Sequence, residues 1–178
     1  MKKIIIAIDS FKGCLTSAEA GKAAEKGIKS INPFCHTSVI PIADGGEGLL
    51  DVLITATKGK YITLSAHGPL MKMAKTHYGL SGNGRTAIIE MAAISGLPLV
   101  PIEQRNPMLT TTFGTGELIK DALNKGCRNF IIGIGGSATN DAGLGMLQAL
   151  GFRFLDKSGH TLGTGCLLYT SPSPRDRG

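Results

Sequence analysis

The order of apolar runs and glycine turns predicts an α/β fold, a Rossmann-like parallel-sheet domain followed by part of a second α/β domain. Three observations carry this. The chain opens in a β-α-β-α order, which implies parallel strands joined by crossovers. Three apolar runs end in glycine turns bearing a carboxylate: Asp9-Ser10-Phe11-Lys12-Gly13, Asp44-Gly45-Gly46-Glu47-Gly48, and the stretch from Gly133 to Asp141. Between Gly59 and Met91 the texture changes to short β-branched runs broken by turn signals.

The elements follow in order. Residues 2–8 read as a buried strand. Thr16 or Ser17 caps an Ala/Lys/Glu-rich helix that runs to about Ser30 and is stopped by Asn32-Pro33. A strand at 37–43 and a helix at 46–56 complete the opening. Gly68-Pro69, Gly79 and Gly82-Asn83-Gly84 then separate short strands. This shift places a domain boundary near residue 60, with 1–60 as the N-terminal part of the Rossmann-like domain and 61–165 as part of the second. Helical character returns at 115–125, a strand at 128–134, a helix at 138–150 and a short strand at 152–156. Residues 166–178, with Pro172 and Pro174 and no periodicity, read as a non-native tail of translated cloning sequence.

Composition bounds the function. The 178 residues are 42% hydrophobic and 18% charged, as in a globular protein. The net charge of +6 comes from scattered lysines, and aromatic residues are only 5%, so no basic stripe or stacking platform points to nucleic acid. A small anionic ligand and a diffuse surface charge both remain open. Glu90 and Pro98 interrupt the longest apolar run, so no membrane span is expected. Only five apolar residues separate Lys3 from Asp9, too few for a secretory leader. Cys14, Cys35, Cys127 and Cys166 are too widely spaced for a zinc or C-x-x-C motif; reduced thiols in a cytoplasmic protein fit them. The four histidines share no ligand spacing.

The glycine turns carry the chemistry. A strand, a glycine turn and a helix start together make an anion site, because backbone N–H groups and the helix dipole face the ligand. The stretch from Gly133 through Gly135, Gly136, Ser137 and Thr139 has this build, and phosphate is the expected guest. No G-x-x-x-x-G-K-[ST] occurs, which excludes a P-loop kinase. Gly133, Gly135 and Ala138 do fit G-x-G-x-x-[GA], with Asp156 beyond them at the end of the next expected strand. That alternative is a dinucleotide-binding oxidoreductase. Against it, the fingerprint lies deep in the chain, and Asp141 would repel a pyrophosphate unless a metal intervened. Thr111, Thr112, Gly114 and Thr115 offer a second set of phosphate donors, or ordinary turn and cap residues.

Several longer motifs occur together: Asp9 to Gly13, Ala43 to Gly48, Ile89 to Ala93 with Ser95 to Leu97, Asn106-Pro107, Thr111-Thr112 with Gly114 to Ile119, and Ile132 to Asp141. In this order they resemble the bacterial glycerate kinases, over Met1 to about Gly165. The resemblance implies transfer of the ATP γ-phosphoryl group to a hydroxyl of D-glycerate, with magnesium, in a two-domain protein. Family members are much longer chains, so this one reads as a truncated N-terminal fragment. It is expected to be inactive alone and to expose apolar surface that causes association.

With the resemblance, roles can be assigned. Gly135, Gly136, Ser137 and Thr139 cradle phosphates, and Ser10, Gly45, Gly46, Thr111, Thr112, Gly114 and Thr115 add phosphate or substrate contacts. Asp141 holds magnesium directly or through water. Lys12 neutralises the transferring group or binds the glycerate carboxylate, Asp44 orients the substrate hydroxyl, and Asp9 serves either role. Asp9, Asp44 and Asp141 are then expected to face one cleft. Ala142 stands where many members have glycine, and a slightly stiffer helix start is expected there.

Overall fold

A computed structural model describes residues 3–156 and 158–163; the proposed tail lies outside the described residues. Strands β1 (Lys3–Ile6) and β2 (His36–Val39) pair in parallel, from Lys3 opposite His36 to Ile6 opposite Val39. Helix α1 (Ser17–Ile31) makes the crossover. Its start follows from sequence: Thr16 Oγ1 accepts the Glu19 N–H at 3.2 Å, and Glu19 Oε2 accepts the Thr16 N–H at 2.8 Å, a reciprocal capping box. Gly21 faces Val39, where a Cβ would collide with the valine methyl, so the small residue sets how closely helix and strand approach.

Helix α2 (Leu49–Thr57) begins three residues later than expected, after Gly48 at φ 91°. Then β3 (Lys60–His67), β4 (Met73–Leu80), β5 (Thr86–Glu90) and β6 (Asn129–Gly133) form one sheet in that order. The pairs β3/β4 and β4/β5 are antiparallel, and β5/β6 is parallel. The connection from β5 to β6 runs through the short α3 (Ala92–Ser95), two 3-10 turns and α4 (Phe113–Asn124).

β5 explains the layering. Its residues Ala87, Ile88 and Ile89 are apolar because helices cover both faces, as in parallel α/β sheets. Ala87 and Ile89 point into a core with Leu118, Ala122 and Cys127, while Ile88 points the other way, onto Leu50 and Ile54 of α2. Full burial of Ile88 stabilises the fold by about 1.5–3 kcal/mol. Thus α2 packs against the second sheet.

Two expected elements differ. The helix expected at 138–150 is reduced to α5 (Leu144–Ala149), because Ala142 (φ 51°) and Gly143 (φ 77°) are left-handed and no helix can run through them. The strand expected at 152–156 is a single bridge between Leu155 and Thr161. Among the described residues, β1 and β2 form a sheet of two edges, and β6 borders the larger sheet; Ile5 is 61% and Ile134 72% exposed.

Candidate functional site

The β1–α1 and β2–α2 loops meet through charge. Lys12 Nζ lies 3.5 Å from Asp44 Oδ2, with both side chains more than half exposed. Gly13, at φ 76°, closes the turn between Phe11 and Leu15 that carries the lysine. Asp44 Oδ1 accepts the Gly46 N–H at 3.0 Å. That bond, and then the Lys12 ammonium, hold the Asp44 carboxyl below its ordinary range. Asp9 is turned to its own chain, Oδ1 accepting the Ser10 N–H at 2.7 Å.

Beside Lys12 lies a cavity of about 420 Å³. One part of its wall is the chain from Ser10 to Glu19; the other is the start of α2 with His77, Glu90 and Ala93. The first part brings Lys12 and Glu19, the second the carboxylates of Glu47, Asp51 and Glu90.

Glu90 is a residue that sequence reasoning passed over. It is 8% exposed, and its Oε2 accepts the N–H groups of Gly48 and Leu50, each at 3.2 Å. It therefore caps α2 from forty residues away, where Gly48 has no side chain to do so. Burial pushes its carboxyl up in spite of these bonds, and Asp51 and Glu47 add to the rise. The available signal was a carboxylate closing the otherwise apolar strand Thr86–Glu90.

The third glycine turn crosses the second. The Gly135 N–H donates to the Gly45 carbonyl at 3.1 Å, and a Cβ on Gly135 would stand 2.6 Å from Gly46 Cα. Gly45, Gly46 and Gly135 are thus brought together next to Asp44. Beyond the crossing, the Gly136 carbonyl accepts the Leu97 N–H at 2.9 Å. Ser137 Oγ accepts the Thr139 N–H at 3.1 Å and lies 2.7 Å from Thr139 Oγ1. The helix expected directly after this turn starts only at Leu144, so the turn does not open into a helix N-terminus.

Asp141 is placed differently from its expected role. It is 1% exposed, and its two oxygens accept from five donors: Thr111 Oγ1, the Thr112 N–H and Oγ1, and the N–H groups of Gly143 and Gly145, at 2.8 to 3.2 Å. Oxygens so engaged are not open to a cation. The residues present do not fit magnesium at Asp141, and among the described residues no group of three or more His, Cys, Asp or Glu is placed to hold a metal. Asp141 instead fastens Thr111-Thr112 to the start of α5. Thr115 is buried too, its Oγ1 2.9 Å from Ser95 Oγ, and a Cβ on Gly114 would collide with the His67 carbonyl. This second set faces inward. None of Asp9, Asp44 and the buried Asp141 lines the cavity, and Asp44 is tied to it only through its ion pair with Lys12.

Asp156 has no strand behind it, and its Oδ1 accepts the N–H groups of Ser158 and His160 at 2.8 and 2.9 Å. The dinucleotide reading needed that carboxylate at a strand end, and the bonding found is that of a local turn. No helix among the described residues is long and apolar enough to cross a membrane.

Residues 4–170 match the model of the family described as the glycerate kinase family. The chain is 55% identical over 163 residues to the glycerate kinase of Bacillus subtilis (strain 168), covering 92% of this chain and 43% of that protein. It is 51% identical over 163 residues to the glycerate 2-kinase of Escherichia coli (strain K12), again covering 92% and 43%. A crystal structure from Salmonella typhimurium LT2, described as glycerate kinase 2, is similar with a TM-score of 0.79 at 49% identity, over 92% of this chain and 44% of that one. The chain therefore spans less than half the length of these relatives.

Proposed function

We propose, for a chain that belongs to the glycerate kinase family, that it supplies the N-terminal part of an enzyme transferring the γ-phosphoryl group of ATP to a hydroxyl of D-glycerate. The observation that carries the reading is the Lys12–Asp44 pair, 3.5 Å apart, beside the cavity. Phosphoryl transfer needs charge neutralisation and an oriented nucleophile more than covalent help from the protein. Lys12 supplies a mobile cation for the transferring group or for the glycerate carboxylate. Asp44, held below the ordinary carboxylate range, is a weak base at neutral pH and acts by accepting a hydrogen bond from the attacking hydroxyl.

The crossing of Gly45, Gly46 and Gly135 lets backbone approach phosphate oxygens closely, and Gly136, Ser137 and Thr139 extend that surface. Thr111, Thr112, Gly114 and Thr115 support it from within, through Asp141 and Ser95. Asp9 shapes the turn that carries Ser10 and Lys12. ATP with magnesium completes the reading, and the Asp141 oxygens, already engaged, supply no ligand to the ion. Cytoplasmic placement belongs to the same reading, supported by the thiols of Cys14 and Cys127. Because the relatives are more than twice as long, activity is assigned to the full-length gene product and not to these residues alone.

The test is ADP release from that product with D-glycerate, read by a coupled assay. Glycerate-dependent turnover is expected, with Lys12→Met and Asp44→Asn each lowering kcat by about 100-fold or more while the melting midpoint stays in place. Glycerate-independent ADP release, or none, would overturn the reading.

A further inference from the structure

Two residues that line the cavity beside Lys12 each carry an oxygen atom with no hydrogen-bond partner among the described residues. Ser10 Oγ is buried and has no hydrogen-bond partner among the described residues. Glu90 takes both of its hydrogen bonds on Oε2, and Oε1 accepts none among the described residues. Both residues line the cavity. A buried hydroxyl without a partner is costly, and a ligand that pairs it recovers that cost; Glu90 Oε1, not buried in the same way, is free to accept from a ligand.

We propose that Ser10 Oγ and Glu90 Oε1 form the hydroxyl-reading end of a subsite for a short polyhydroxy acid, whose anionic group is held at the Lys12 end. A ligand hydroxyl donates to Glu90 Oε1, and the Ser10 hydroxyl donates to a ligand oxygen. The cavity carries Lys12 together with Glu19, whose Oε2 is taken up by the Thr16 cap, on the Ser10–Glu19 side, and the carboxylates of Glu47, Asp51 and Glu90 on the other. Like charges repel an anionic group from the second side, so the ligand has one favoured orientation. This rests on the proposed glycerate reading and deepens it, by making Glu90 the residue that counts hydroxyls. Glu90 is placed for it rigidly, because its other oxygen is pinned to the first turn of α2.

The variant Glu90→Gln separates the two roles. The glutamine oxygen can still cap Gly48 and Leu50, but its amide presents a donor to the cavity where the carboxylate presented an acceptor. Calorimetric titration of the full-length gene product uses D-glycerate, D-lactate and 3-hydroxypropanoate, the last two each lacking one hydroxyl. Unsubstituted protein should bind D-glycerate tightest. Glu90→Gln should lose about tenfold in D-glycerate affinity and narrow the gap to at least one analogue, with its melting midpoint not lowered. Ser10→Ala gives the second arm: it removes a hydroxyl that has no partner among the described residues, so stability should hold while D-glycerate affinity falls. Unchanged affinity and selectivity in both variants would overturn the subsite, even with turnover intact. Binding that behaves as expected without turnover would instead overturn the kinase reading alone.

Discussion

The N–H of Gly135 donates to the carbonyl of Gly45 at 3.1 Å, and the two loops that carry them touch backbone to backbone. Neither loop could come so close with a side chain at the contact. Gly135→Ala would put a methyl group 2.6 Å from Gly46 Cα, against rigid main chain. We expect a loss of about 1–3 kcal/mol in urea denaturation of this chain. In the full-length product, turnover should fall further than stability does, because the displaced Gly45-Gly46 turn positions Asp44.

Asp141→Ala should be among the most damaging single changes. It leaves the N–H groups of Thr112, Gly143 and Gly145 without their acceptor in the interior. A loss of about 3 kcal/mol or more is expected. A chelator should leave the melting midpoint of this chain unmoved, whereas a metal held by Asp141 would make it fall.

Ala142 occupies the left-handed region at φ 51°, where an L-residue with a Cβ is strained. Ala142→Gly relieves that strain, though it adds freedom to the unfolded chain, so a net gain of about 0.5–1 kcal/mol is expected. A rise in the denaturation midpoint would confirm it, and a fall would show that the backbone there is relaxed.

Glu90 gives stability a pH dependence of definite sign. Its folded carboxyl is raised above the ordinary 4.5, chiefly by burial, so in the window just above pH 4.5 the folded state binds more protons than the unfolded one. Stability then falls as pH rises from 4.5 through the raised folded value, and levels off above it. Glu90→Gln removes this contribution. The variant should gain stability relative to the unsubstituted chain as pH climbs through that window, measured by urea midpoints. An equal difference at every pH would refute the assignment.

Much of this was readable beforehand. Thr16 and Glu19 announce the start of α1, Asn32-Pro33 its end, and the opening order gives the parallel pair β1 and β2. The meeting of Lys12 with Asp44 could only be suspected from strand ends that share a sheet edge. What periodicity could not reveal is where a side chain finds partners distant in sequence. Asp141 looked open to a metal because the Thr111 and Thr112 hydroxyls that engage it lie thirty residues earlier. Glu90 looked like an interruption in an apolar run because the helix it caps starts forty residues before it. The left-handed pair Ala142-Gly143 shortened α5, since residues of good helical propensity cannot overcome a backbone turned the wrong way.

Among the described residues β1 and β6 each have an unpaired flank, and Ile5 in β1 and Ile134 just beyond β6 stand in water, which gives this chain a reaction order. Main-chain groups there find partners in any neighbouring molecule that presents an extended segment, so loss of monomer is a second-order process. Refolding yield should therefore depend on dilution more than on temperature, and light scattering should grow faster than in proportion to concentration.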